Sequence, residues 1–110
     1  MSFRAIVIDP RMQRIIEAQL PEQEEDTLEA LQALVGGYIE LAWSFPNGDA
    51  LFVNDMARID GEDACFALHN TNGPHMGQGV IVGGTPNGET CGARSSLADI
   101  KVLVLFGRMI

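Results

Sequence analysis

Two cysteines, two histidines and one loop arginine are the residues of this chain best equipped for chemistry. Cys65, His69, His75 and Cys91 are all types that zinc accepts in tetrahedral sites. Their spacing lacks the close C-x-x-C or H-x-x-x-H pairs of a readable site, so buried cysteines and ordinary loop histidines are expected. A Cys65–His69 or Cys91–His75 nucleophile pair would need a third orienting group and an oxyanion hole. Ser95, Ser96 and Asp99 fit a helix cap better than a hydrolase site, and no G-x-S-x-G, H-E-x-x-H or paired-carboxylate motif occurs. No catalytic residue, metal or cofactor is assigned on these grounds. A small hydrolase or zinc protein is the least favoured class.

The glycines offer a different chemistry, because a chain without side chains lets backbone amides approach an anion. Phosphate loops run from strand through glycines to a helix N-terminus. Gly36-Gly37 stands in the reverse order, after a helix and before a strand, so a left-handed C-terminal cap is the expected role. A second zone holds Gly73, Gly77, Gly79, Gly83, Gly84, Gly88 and Gly92. Its order is not that of a dinucleotide fingerprint, yet loops flanking a rigid strand are reasonable places for a ligand. Arg94, between Gly92 and Ser95-Ser96, is the best-placed single cation for an anionic ligand. Trp43 and Phe45 share a strand face, with Tyr38 on the other. Core packing is favoured for them over a stacking platform or protein hot spot. The candidate ligand contacts are Trp43, Asn54, His75, Gly83, Gly84, Thr85 and Arg94.

The elements that must position these residues are partly legible. Phe3–Ile8 is β-branched and apolar and ends on Asp9-Pro10, which predicts a strand. Arg14–Leu20 is strand or helix, with strand slightly favoured by Ile15-Ile16. After an acidic loop over 22–26, Asp26-x-x-Glu29 has capping-box spacing. Leu28, Leu31, Leu34 and Val35 then share a helical face. Residues 38–54 read as a β-hairpin about Pro46-Asn47-Gly48-Asp49. Asp60–Asp63 is a loop or helix start, Ala64–His69 a possible short helix, and Asn70–Pro74 a turn. Gly79–Val82 is a short strand buried on both faces, followed by loop to Gly92. Ser95–Asp99 has the composition of a helix cap, whereas Ile100–Phe106 is better as a strand.

The bulk numbers set outer bounds. A chain of 110 residues, 46% hydrophobic, forms one domain of modest core, since single cores occupy roughly 100–200 residues; self-association into a homo-oligomer is expected to help it. Fifteen acidic residues against seven basic ones give a net charge of −8. With no Lys/Arg cluster beyond Arg4, Arg11 and Arg14, binding to nucleic acid or an anionic membrane is disfavoured. The N-terminus has no signal-peptide pattern and the longest apolar run is too short to cross a bilayer. A cytoplasmic protein with reduced thiols is expected.

With these residues in view, the chain resembles an uncharacterised family of phage, plasmid and actinobacterial or proteobacterial genomes, domain of unknown function 3846. The resemblance rests on the strand ending Ile8-Asp9-Pro10 and on LxALQxLVGGYIE, matched by Leu28–Glu40. It also rests on the hairpin arm ending Asn54-Asp55, and on the strand Gly79–Gly83 followed by Asn87-Gly88-Glu89. Asp60–Pro74 is longer than, and differently composed from, the family's corresponding segment. The resemblance implies a phage or mobile-element accessory protein, acting in the host cytoplasm if phage-encoded, and supplies no catalytic residues.

Together these readings predict an α+β fold, with one main helix packed on a mixed or antiparallel sheet of four to six strands. The leading functional expectation is non-catalytic binding or sequestration of a small, nucleotide-like ligand, with countering of host defence as one use. The alternative is a protein-interaction role, in which the acidic surface inhibits or regulates a host enzyme.

Overall fold

The structure, a computed structural model, describes residues 2–57, 61–69 and 73–108. In chain order the elements are β1 (Ser2–Asp9), β2 (Arg14–Pro21), α1 (Glu24–Val35), β3 (Ile39–Ser44), β4 (Asp49–Asn54) and β5 (Ala64–Leu68). They continue with β6 (His75–Met76), β7 (Gly79–Gly84), β8 (Thr90–Cys91), α2 (Leu97–Leu103) and β9 (Val104–Arg108). One sheet has six strands in the order β2-β1-β7-β4-β3, with β8 pairing off β7; a second has the order β6-β5-β9. All pairings are antiparallel. The fold is α+β, as the sequence predicts. The three-stranded sheet is a feature the pattern of residues did not announce.

The large sheet separates two layers of side chains because successive residues of a strand point to opposite faces. On one face Ala5, Val7, Val80 and Val82 meet Leu31 and Val35 of α1. On the other, Ile6, Ile8, Leu51 and Ile81 meet Phe66 and Leu68 of the small sheet and Ile100 of α2. Strand β7 lies in the middle of the sheet, so its run GVIVG is buried throughout, as expected of a strand covered on both sides. Gly79 leaves room for a ring from the other sheet: a Cβ there would stand 2.6 Å from Cζ of Phe66.

Helix α1 starts earlier than the capping-box spacing suggests. Its N-cap is Gln23, with no side-chain cap bond, and Glu24, Glu25 and Asp26 all lie in the first turn. Three carboxylates there favour the positive end of the helix dipole. Thr27 ties the turn down instead, its buried hydroxyl sitting between the carbonyls of Pro21 and Gln23. Of the predicted apolar stripe, Leu31 and Val35 are buried, whereas Leu28 is 45% exposed.

The C-terminus of α1 is as read. Gly36 caps it at φ 85°, the left-handed region. The amides of Gly36 and Gly37 both donate to the carbonyl of Gln32, at 2.9 and 3.1 Å. Gly37 is there for close approach, since a Cβ on it would lie 2.8 Å from Oδ1 of Asn54.

Three local expectations are corrected. Ala64–Leu68 is strand β5 rather than a helix; a short apolar run does not discriminate the two, and its pairing with β6 and β9 decides. Residues 100–103 belong to α2, and the strand begins only at Val104. The hydroxyl of Ser96 accepts from the amide of Asp99 at 3.1 Å, and that cap outweighs the β-branched composition behind it. The expected loop from Gly83 is shorter, because β7 runs to Gly84 and β8 pairs with it. Asp60 and the Asn70–Asn72 part of the expected turn lie outside the described residues. No helix among the described residues is long and apolar enough to cross a membrane.

Candidate functional site

Arg94, Gly83 and Gly84 do come together, around a residue the sequence reading treated only as part of a turn. Asp49 opens β4 and is 1% exposed. Burying a carboxylate is costly unless hydrogen bonds replace the lost water. Here the amide of Arg94 donates to its two oxygens at 2.9 and 3.1 Å, the amide of Ser95 at 2.8 Å and the hydroxyl of Ser95 at 2.7 Å. Asn47, in the hairpin turn, accepts from the amide of Asp49 at 2.9 Å and donates to the Ser95 hydroxyl at 3.0 Å. From the other side, the guanidinium of Arg4 donates to the carbonyls of Ala93 and Ser95 at 3.0 and 2.6 Å. Residues 93–95 are therefore pinned between β1 and β4.

This pinning directs Arg94 back onto the fold. Its Nη2 donates to the carbonyl of Gly84 at 2.8 Å, and its Nη1 stands 3.8 Å from Oδ1 of Asp49. A Cβ on Gly83 would meet the carbonyl of Gly92 at 2.4 Å and Nη1 of Arg94 at 2.9 Å. Gly83 thus makes room for the strap. Thr85 is occupied locally, its hydroxyl accepting from the amide of Glu89 at 3.0 Å.

Asn54 lies at the opposite end of β4, roughly 17 Å away at ~3.4 Å per residue. It borders a cavity of about 220 Å³ beside the end of α1, to which Arg11, Glu62, Gly77 and Gln78 also contribute. Arg11 and Glu62 form a bidentate ion pair across it, with Nε of Arg11 3.2 Å from Oε1 and Nη2 on the other oxygen. The Glu62 side chain is 12% exposed and that of Arg11 69%. The hydrogen bond from Arg11 holds the Glu62 carboxyl below the usual carboxylate range, against a burial effect that pushes it up. The same bond raises the Arg11 guanidinium above its ordinary value. The Oδ1 of Asn54 accepts from the amide of Met56 at 2.9 Å.

The remaining candidates stand elsewhere. Trp43 packs with Phe45 against the core on the small-sheet side, after a bulge between Leu41 and Trp43, while Tyr38 is 73% exposed. His75, in β6, sits with its ring 5.3 Å from that of Phe66. Cys65 is buried with Ala57 and Met76, and Cys91 is in β8 of the other sheet; both are free thiols. No group of three His, Cys, Asp or Glu side chains among the described residues is placed to hold a metal ion. Arg4, Arg11 and Arg14 each face a carboxylate, of Glu17, Glu62 and Asp9 respectively.

Sequence reasoning passed over Asp49, Arg11, Glu62 and Gln78. Only Asp49 carried a local signal, the Asn-Gly-Asp turn; the Arg11–Glu62 pair joins residues 51 positions apart. In comparison with known proteins, the model of the family Domain of unknown function (DUF3846) matches residues 3–106, and the chain belongs to that family. No curated protein and no solved structure matches.

Two outcomes follow from this geometry. Asp49→Ala strands several buried donors and is expected to cost about 3 kcal/mol in urea unfolding. Arg94→Ala, losing one hydrogen bond and a half-screened pair, is expected to cost about 1 kcal/mol. Equal losses would contradict the hierarchy. Because the folded Glu62 is more acidic than the unfolded one, the pair contributes stability above about pH 4.3. That contribution is lost as pH falls through the depressed folded value. Thermal melts of Glu62→Gln should therefore lie below those of the parent at neutral pH and converge with them in acid. A gap that does not change with pH would contradict the assignment.

Proposed function

We propose that the domain is a non-catalytic binding protein that takes a small polar ligand into the cavity bordered by Asn54, Gln78 and the Arg11–Glu62 pair. The observation that carries the reading is the chemistry of that lining: two amide side chains, a paired cation and anion, and backbone at Gly36 and Gly77 around about 220 Å³. That volume is below the roughly 300–1,000 Å³ of sites for drug-sized molecules. It suits a nucleobase or an amino-acid-sized molecule.

Electrostatics narrows the class. The C-terminus of α1 bears on the cavity, equivalent to roughly half a negative charge, and no basic residue lies in its last turn. Among the described residues that line it the one cation, Arg11, is already paired with Glu62. Among the described lining residues a phosphate meets no unopposed positive charge, which favours an uncharged or cationic ligand. For a nucleotide-like molecule, the base and sugar enter and any phosphates remain in solvent. In this reading the protein is an accessory factor of a phage or mobile element that retains such a ligand in the host cytoplasm, with blunting of a host defence signal as one use.

Calorimetric and thermal-shift titration with free nucleobases and nucleosides, beside cyclic nucleotides and ADP-ribose, tests this. The expected result is binding by an uncharged member, lost in Gln78→Ala and weakened in Glu62→Gln. Silence from all uncharged members, or binding that requires the phosphate, would remove the proposal.

A further inference from the structure

We infer that the groove along the N-terminal half of α1 is a docking site for a short cationic, amphipathic segment of a partner protein. This groove is separate from the cavity at the other end of the helix and rests on different residues. Its volume is about 830 Å³, and Leu28, Leu31, Ile39 and Phe52 form its apolar part. It exists because α1 packs more closely over β2 and β7 than over β4 and β3, leaving part of the β3–β4 edge of the same sheet face uncovered. Leu28 is 45% exposed there, and Leu41, cross-strand from Phe52 but outside the groove's lining, is 54% exposed. Large apolar side chains left in a concave surface with a polar rim mark a recognition site.

The rim states the partner's charge. Glu22, Glu24 and Glu25 stand on the helix bank and Glu89 on the bank made by the β7–β8 turn, and no Lys or Arg lines the groove. Among the described residues, none of these four carboxylates is in an ion pair. The helix dipole accounts for Glu24 and Glu25 but not for Glu89, which comes from a separate element. Four unneutralised carboxylates around an apolar floor repel nucleic acid and anionic lipid. They complement a segment that buries leucine-like side chains and surrounds them with lysine or arginine, the logic of an amphipathic peptide in a groove.

The test uses the whole chain and three labelled probe peptides, of leucine and lysine, of leucine and glutamate, and of serine and lysine, read by fluorescence anisotropy. The leucine–lysine peptide is expected to bind alone, with affinity falling as salt is raised. The triple variant Glu24→Gln, Glu25→Gln, Glu89→Gln is expected to bind about tenfold more weakly. A charge-matched control, Glu40→Gln, Asp55→Asn, Asp99→Asn, should stay within about twofold of the parent. Leu28→Ser, whose folding is checked by circular dichroism, should also lose binding, because the floor is apolar. Equal weakening in both triple variants, or equal binding of the serine–lysine peptide, would reduce the effect to bulk charge and overturn the proposal. So would failure of the leucine–lysine peptide to bind. Sedimentation of the free protein supplies the last outcome: a dimer that Leu28→Ser dissociates would assign the groove to a second copy of this chain instead.

Discussion

A buried carboxylate at the start of β4 sets the arrangement of everything after residue 92. Asp49 has given up water for two backbone amides and a serine hydroxyl, all from residues 94 and 95. Those donors are the right number to solvate a carboxylate, and in a low-dielectric setting each is worth more than in water. The segment they belong to leads directly into α2, whose Ile100 closes the core on the face opposite α1. From there β9 pairs with β5, and Phe66 of β5 reaches the space above Gly79. One hydrogen-bonded anion thus couples the hairpin turn to the layer that covers the sheet.

The same interaction reassigns the glycines. From the sequence, Gly83 and Gly84 are candidate ligand contacts in a glycine-rich loop, with Arg94 the best-placed cation for an anionic ligand. In the fold they are the floor under an arginine that is turned inward, with one donor on a carbonyl and its charge faced by Asp49. Gly36 and Gly37 follow the same rule, one bending the backbone and the other clearing Asn54. Their amides are committed to Gln32. At these four positions glycine serves close packing or a left-handed turn; the concave surfaces lie elsewhere, a small polar cavity at one end of α1 and an acidic, apolar-floored groove at the other.

What the residues disclosed in advance follows from how local each signal is. Strand β7, the 39–54 hairpin and the Gly36 cap each depend on neighbours in sequence, and composition and periodicity revealed them. The start of α1 was displaced by three residues because Asp26 has cap-like chemistry wherever it stands in an acidic run. Strand β5 was misread because ACFAL is equally apolar as helix or strand, and only its partner β9, about forty residues later, decides. The Arg11–Glu62 pair and the Asp49–Ser95 contact were invisible for the same reason. Of the seven candidate contacts, the fold brings Gly83, Gly84 and Arg94 together, keeps Thr85 beside them, and places Asn54 on the cavity. Trp43 and His75 pack elsewhere. Spacing cannot report that, since it is a property of the sheet order.

The central claim is that Asp49 locks residues 94 and 95 into the folded core and thereby makes Arg94 a structural strap. Native-state hydrogen exchange of the Arg94 and Ser95 amides addresses it directly, because an amide bonded to a buried carboxylate exchanges only through large-scale opening. The account predicts protection approaching that of the β7 amides. Exchange at the rate of an open surface loop would contradict it.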